Sequence, residues 1–286
     1  PSSIFDVQVK RIHAYKRQLL NALHILELYS KLKANPALDM TPRTFIFAGK
    51  AAPGYHLAKR FIKFINTLAQ TINNDPLVKG RIKVLFLENY SVSLGEMIFP
   101  SADVSEQIST ASREASGTGN MKFMMNGAVT IGTMDGANVE IHEEVGDDNI
   151  VTFGLSAQEV LDYYSKGGYR PWDMYNNNKR IRALLDSLKD GTLVANHQDE
   201  FKDIFNILVD RDEFFVLKDF EAYADAQEKI EKLYSDASVW NKMCLSNIAH
   251  SGRFSSDRTI SEYAIGIWKV NQFVVETGTS GADYSI

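Results

Sequence analysis

A single cysteine in 286 residues, Cys244, leaves no partner for an intrachain disulfide and too few thiols for a cysteine-built zinc cage. It lies in the apolar stretch 240–248, the setting of a buried helix residue rather than a nucleophile, and such sparing thiol use fits a reducing cytoplasm. No apolar run approaches the roughly eighteen residues of a membrane span. The formal charge of -5 mixes 31 basic with 36 acidic residues, so no basic stripe is available to track a nucleic acid backbone. Neither a membrane nor a nucleic acid is expected as partner, and no metal site is expected. Internal repeats, low-complexity stretches and a targeting peptide are also missing. The chain opens within a few residues of a strand pattern, which reads as the continuation of a longer protein.

What the chain has is apolar material, 44% of its residues, enough for one large or two modest cores. Phe5, Val7 and Val9 alternate with polar residues, Leu19, Leu23, Leu26 and Leu32 recur at helical spacing, and Thr44-Phe45-Ile46-Phe47 returns to a β-rich run. A second unit follows, with a helix through Ala58, Phe61, Ile65, Leu68 and Ile72. The strand Ile82-Lys83-Val84-Leu85-Phe86-Leu87 is apolar enough to be buried on both faces. Further strands are expected at 128–131 and 150–153, separated by an Asp135-Gly136-Ala137-Asn138 turn that caps a helix over 139–144. From about residue 155 the pattern is helical. The fold class is therefore α/β, a doubly wound, mostly parallel, Rossmann-like sheet followed by a helical carboxy-terminal region. Residues 1–276 are read as one domain and 277–286 as a loose polar tail.

Such a sheet binds ligands outside the carboxyl ends of its strands, where loops 10–16, 48–54, 88–93 and 114–122 would gather. The last of these, Glu114-Ala115-Ser116-Gly117-Thr118-Gly119-Asn120-Met121-Lys122, joins a carboxylate, a glycine-rich anion nest and a lysine about one turn into a helix. It matches neither G-x-x-x-x-G-K-[ST] nor G-x-G-x-x-G, since Lys122 stands where the third glycine would be. Spacing alone allows both a phosphate-ester site whose lysine forms a Schiff base and a solvated glycine turn capping an ordinary helix. Lys10, Arg11 and Lys16 leave the first strand together and bring cations to the same rim. Against that, Lys16 and Arg17 can simply decorate an exposed helix start. Tyr90 offers an aromatic face, Glu114 an acceptor for a sugar hydroxyl, and the Gly49-Lys50-Ala51-Ala52-Pro53-Gly54 segment is either a second anion site or a helix lead-in. His56 and His142 have no evident partner.

Four segments in order, Phe5-Asp6-Val7-Gln8-Val9-Lys10-Arg11-Ile12-His13, Gly49-Lys50-Ala51-Ala52-Pro53-Gly54-Tyr55-His56, 114–122, and Gly132-Thr133-Met134-Asp135-Gly136-Ala137-Asn138-Val139-Glu140, closely resemble the α-glucan phosphorylases, the glycogen, starch and maltodextrin enzymes. The resemblance runs from Phe5 to about Val270. It implies the carboxy-terminal half of a GT-B glycosyltransferase, with pyridoxal 5′-phosphate carried as a Schiff base on Lys122. Gly117, Thr118 and Lys10 would hold the cofactor phosphate, and Tyr90 would line its ring. Arg11 and Lys16 would hold substrate orthophosphate, while Glu114, Ser116 and Gly117 would contact the transferred glucose. The implied reaction is retaining phosphorolysis of α-1,4-glucan to α-glucose 1-phosphate, in an enzyme that is a homodimer when full length. Lys10, Arg11 and Lys16 would stabilise the two phosphates.

Two positions depart from the family. Ser91 stands where animal members often have arginine, and Ser112-Arg113 replaces the usual residues before Glu114. The family's amino-terminal half, absent here, forms the other wall of the cleft, so an isolated fragment that binds cofactor or glucan without turnover is the alternative. A nicotinamide-dependent oxidoreductase is disfavoured by Lys10-Arg11 after the first strand and by the missing third glycine. The paired acids of a glycoside hydrolase have no candidate, and a phosphate with a second pKa of about 6 makes a tuned carboxylate unnecessary.

Overall fold

In the computed structural model, residues 3–193 and 199–270 are described. Backbone contacts divide the chain into two compact units, one running to His250 and one starting at Ser251. Among the described residues the first unit holds six strands in one sheet, β1 (Ile4–Val9), β2 (Arg43–Ala48), β3 (Ile82–Leu87), β4 (Val104–Gln107), β5 (Val129–Gly132) and β6 (Val151–Thr152). Every pairing is parallel, and the order β3-β2-β1-β4-β5-β6 is the doubly wound arrangement that the sequence pattern implies.

Between the strands run α1 (Gln18–Ala34), α2 (His56–Asn74), α3 (Val92–Ile98), α4 (Gly119–Met125) and α5 (Asn138–Val145). The remaining helices of this unit are α6 (Ala157–Lys166), α7 (Pro171–Asn177), α8 (Lys179–Asp186), α9 (Lys202–Asp210), α10 (Val216–Ser235) and α11 (Ala237–His250). α2 presents a regular apolar stripe, Ala58, Phe61, Ile65, Leu68 and Ile72, all buried. α1 is instead buried nearly all round, polar Gln18, Asn21 and His24 included. In the second unit, α12 (Ser256–Glu262) leads into a wider helical turn, Tyr263–Trp268. The tail expected at 277–286 lies outside the described residues. No helix among the described residues is long and apolar enough to cross a membrane.

Three local expectations change. β3 is an edge strand with Lys83 exposed, so it is not buried on both faces. The turn 135–138 does not cap α5 through a side chain, because the Asp135 carboxylate is used elsewhere. Two elements escape the sequence pattern altogether, α3 and β4. The latter, Val104-Ser105-Glu106-Gln107, lies beside the central strand with all four residues buried. Most of its polar groups are matched inside the protein: Gln107 Nε2 donates to Ser105 Oγ at 2.8 Å, and Glu106 Oε1 accepts from Tyr223 Oη (2.9 Å) and Gln227 Nε2 (2.6 Å), while Glu106 Oε2 has no hydrogen-bond partner.

Candidate functional site

The carboxyl ends of β1, β4 and β5 open on a cavity of about 250 Å³. Lys10, Arg11, Lys16, Tyr90, Glu114, Ser116, Gly117, Thr118 and Lys122, which come from three separate segments, all line it. Lys50 does not, and its segment serves a different purpose. The Lys50 carbonyl accepts from Ile12 N at 3.1 Å, and a Cβ at Gly49 would collide with the Lys10 carbonyl, so the two loops touch backbone to backbone.

Lys16 and Glu114 form the strongest contact in the cavity. The ammonium lies 2.7 and 2.6 Å from the two carboxylate oxygens, and Ser109 Oγ donates to Oε2 at 2.6 Å. Lys10 Nζ stands 3.8 Å from the same Oε2. Burial pushes the Lys10 amine down to about 8 against the pull of Glu114, with Lys16 pushing the same way as burial. Burial alone would raise the Glu114 carboxyl, but Lys10, Lys16 and Ser109 together hold it below the ordinary range. His13 is lowered by burial and by its neighbours Lys16 and Arg11. Its Nδ1 accepts the Tyr15 amide at 3.4 Å and stiffens the loop that carries the cations.

That loop ends on Arg17, which the sequence leaves room to read as a solvated residue and which is wholly buried. Its left-handed backbone, φ 57°, turns the chain into α1. The guanidinium donates to the Ile108 carbonyl at 2.7 Å and to Asp219 Oδ2 at 2.6 Å, tying the cationic loop to α10.

The glycine-rich loop is strapped from below by the turn after β5. Asp135 Oδ2 accepts the amides of Arg113 (3.1 Å) and Glu114 (2.8 Å), and Ala137 N donates to the Ser116 carbonyl at 3.0 Å. Gly136, at φ 54°, packs so closely under Ala115 that a Cβ would collide with its carbonyl. Asn138 Nδ2 bonds the carbonyls of Gln107 and Thr133, and its Oδ1 accepts from Asn120 Nδ2 at 3.2 Å. Thus fixed, the amides of Gly117, Thr118 and Gly119 make no hydrogen bond among the described residues. The side-chain amine of Lys122, in the first turns of α4, makes no hydrogen bond or ion pair among the described residues either and lies 5.7 Å from the Phe99 ring centre.

These features test the fit of an aldehyde phosphate. A free amine beside an aromatic wall suits the aldehyde, and unpaired amides facing a cationic loop suit the phosphate. Gln107, Ser109, Asn120, Thr133, Asp135 and Asn138 also line the cavity and were not anticipated. The Gly-Ala-Asn run after Asp135 is the available signal; it enters the sequence reading as a helix cap and as part of a family segment, without a role in the site. Ser91 caps α3, accepting from Leu94 N at 3.4 Å, and Ser112 sits at φ 71°, where Arg113 swings out over the Tyr164 ring at 4.6 Å. His142, without an evident partner in the sequence, pairs through Nε2 with Asp147 Oδ1 at 2.6 Å.

A family model described as carbohydrate phosphorylase matches residues 1–270. Over 271 residues the chain is 59% identical to a glycogen phosphorylase of Bacillus subtilis, covering 94% of this chain and 34% of that protein. It is 52% identical to a glycogen phosphorylase of Synechocystis, covering 96% of this chain and 32% of the relative. Against the liver form of human glycogen phosphorylase it is 54% identical, with 94% and 32% covered. The chain thus spans about a third of the length of the curated relatives it matches.

Proposed function

The chain belongs to the carbohydrate phosphorylase family, and from that premise we propose that it is the cofactor-holding and phosphate-binding part of an enzyme that cleaves α-1,4-glucan with orthophosphate to give α-glucose 1-phosphate. The observation that carries this reading is the convergence of Lys10, Arg11 and Lys16 with the 117–119 amides and Lys122 on one cavity. Lys122 is the attachment point for pyridoxal 5′-phosphate, Tyr90 lines its ring, and the Gly117 and Thr118 amides with Lys10 hold its phosphate. When bound, the cofactor supplies a phosphate of second pKa about 6, able to exchange a proton near neutrality.

The protein's own work is electrostatic. Two phosphates a few ångströms apart repel by about 4 kcal/mol per unit charge pair at an intermediate dielectric. Lys10, Arg11 and Lys16 offset that repulsion, Arg11 and Lys16 by holding orthophosphate against the cofactor's phosphate. In the free cavity Glu114 occupies Lys16. An incoming phosphate takes over the ammonium, and the released carboxylate accepts hydroxyls of the glucose together with the Ser116 and Gly117 backbone. The opposite wall of the cleft is assigned to sequence beyond the third that this chain matches, and turnover therefore belongs to the complete enzyme.

The test is borohydride reduction of the chain mixed with stoichiometric pyridoxal 5′-phosphate, followed by peptide mass mapping. A single adduct on Lys122, lost in Lys122→Ala, is the expected result. Adducts spread over surface lysines would refute the pocket.

A further inference from the structure

Each residue of the segment that follows β4 is fastened to a different neighbour. The Ile108 carbonyl accepts from Arg17 Nε at 2.7 Å, the Ser109 carbonyl from Thr133 Oγ1 at 2.6 Å, and the Thr110 amide donates to the Tyr15 carbonyl at 2.8 Å. Thr110 Oγ1 adds a bond to the Phe214 carbonyl at 3.0 Å. All of 108–110 is buried, so little water competes for these bonds. From this fixed backbone Ser109 Oγ reaches the cavity wall and donates to Glu114 Oε2 at 2.6 Å. The carboxylate's other partners, Lys16 and Lys10, stand at the ends of long flexible stems. We infer that Ser109 is a positioning residue at the sugar end of the site: it anchors Glu114 Oε2 when orthophosphate draws Lys16 away, and so leaves Oε1 as the oxygen that meets a glucose hydroxyl.

The identity of those two ligands rests on the function proposed above, whereas the sharing of Glu114 between one fixed donor and two mobile cations is a property of this chain. The two oxygens differ in what they keep. Oε1 has one hydrogen bond among the described residues, from Lys16, and is left bare once the ammonium turns to phosphate. Oε2 retains Ser109. The Glu114 amide is already held by Asp135 at 2.8 Å, so the acid is then fixed at its backbone and at its far end. Binding a sugar does not require ordering a loose side chain. A donor aimed at a carboxylate also favours its ionised form, and Ser109 acts here in the same direction as the two lysines. Of the remaining charges on the cavity, Arg11 and Lys122 act with the lysines and Asp135 against them. An ionised carboxylate only accepts, so the hydroxyl it meets has to be the donor.

The anchoring is tested on the chain without ligand, and thus apart from cofactor trapping on Lys122. Lys16→Met removes the ammonium, as an incoming phosphate does, and ¹³C NMR of the Glu114 carboxyl reads its acid constant. In that background Ser109→Ala should weaken the acid at least tenfold, because a donor to the charged form is lost. Ser109→Cys, a weaker donor of similar size, should fall between. An acid constant indifferent to Ser109→Ala while the circular dichroism stays native overturns the anchor. If Ser109→Ala does not fold, the side-chain three-bond couplings of Glu114 in Lys16→Met decide: values of a single rotamer are expected, and averaged values overturn it. In the unaltered chain, orthophosphate should move the Lys16 ¹⁵Nζ resonance and leave the Glu114 couplings unchanged. A Glu114 side chain that becomes averaged as phosphate binds overturns Ser109 as the anchor, whereas a Lys16 resonance that phosphate leaves in place overturns the exchange of partners on which the proposed reaction relies.

Discussion

Lys16 and Glu114, 98 residues apart in sequence, meet as a two-point ion pair in which one ammonium reaches both oxygens of one carboxylate. With Lys10 at 3.8 Å on the same side, and Arg11 and Lys122 also lining the cavity, four basic side chains stand against two acidic ones, Glu114 and Asp135, before any ligand arrives.

Removing the acid should lower the Lys10 midpoint, because burial already pushes that amine to about 8 and Glu114 is the largest influence opposing it. In Glu114→Gln, NMR of the lysine ¹⁵Nζ should show Lys10 titrating below 8. In the unaltered chain, orthophosphate affinity at constant ionic strength should fall as pH rises through 8, since Lys10 loses its charge there. A Lys10 midpoint unchanged by Glu114→Gln would contradict the coupling.

Asp135 holds two backbone amides with one oxygen, and charge-assisted bonds of this kind contribute about 1.5–3 kcal/mol each. Asp135→Ala should lower unfolding free energy by roughly 2 kcal/mol or more and reduce trapping of pyridoxal phosphate on Lys122. Asp135→Asn keeps an oxygen acceptor and should restore much of both. Denaturant titration and adduct yield decide it, and an Asp135→Asn variant as impaired as Asp135→Ala would rule out the backbone-acceptor role.

Gly136 and Gly146 both have positive φ, 54° and 72°, but only Gly136 has a carbonyl in the way of a Cβ. Gly146→Ala should cost about 1 kcal/mol of backbone strain and leave the site intact. Gly136→Ala should in addition displace loop 114–118, seen as faster proteolysis within it and weaker phosphate binding. Equal behaviour of the two variants would show that the loop is not strapped to this turn.

Asp6 and Glu106 are a buried carboxyl pair. Burial raises both, Glu106 well above its usual range, and three of their four oxygens lack a hydrogen-bond partner. A proton on Glu106 gives those oxygens a bond. Because the folded-state value is raised, this group's contribution is fully present below the unfolded value of about 4.3 and is lost as pH rises, by about 1.4 kcal/mol per unit until the folded carboxyl ionises. Glu106→Gln, a permanently neutral stand-in, should therefore gain stability relative to the parent between pH 5 and pH 8. Chemical denaturation at both values measures it, and a difference that does not vary with pH would exclude the shared proton.

Much of this architecture can be read from the chain because apolar side chains announce themselves. The alternation through Phe5, Val7 and Val9 and the stripe from Ala58 to Ile72 both correspond to observed elements. β4 cannot be read that way. Ser105, Glu106 and Gln107 carry the composition of a surface loop, and only partners more than a hundred residues away, Tyr223 and Gln227, make burial of Glu106 tolerable. Arg17 is hidden for the same reason, its acceptors being Ile108 and Asp219. At the site, cations and glycines were conspicuous, whereas Asp135 works through backbone amides of another loop and leaves no spacing to detect.

The bare α-carbon at Gly49 constrains a residue it never touches through a side chain. Any methyl there would push the Lys10 carbonyl aside and carry the ammonium with it, so the charge that faces the phosphate loop is guarded from the neighbouring strand by an atom that is not there.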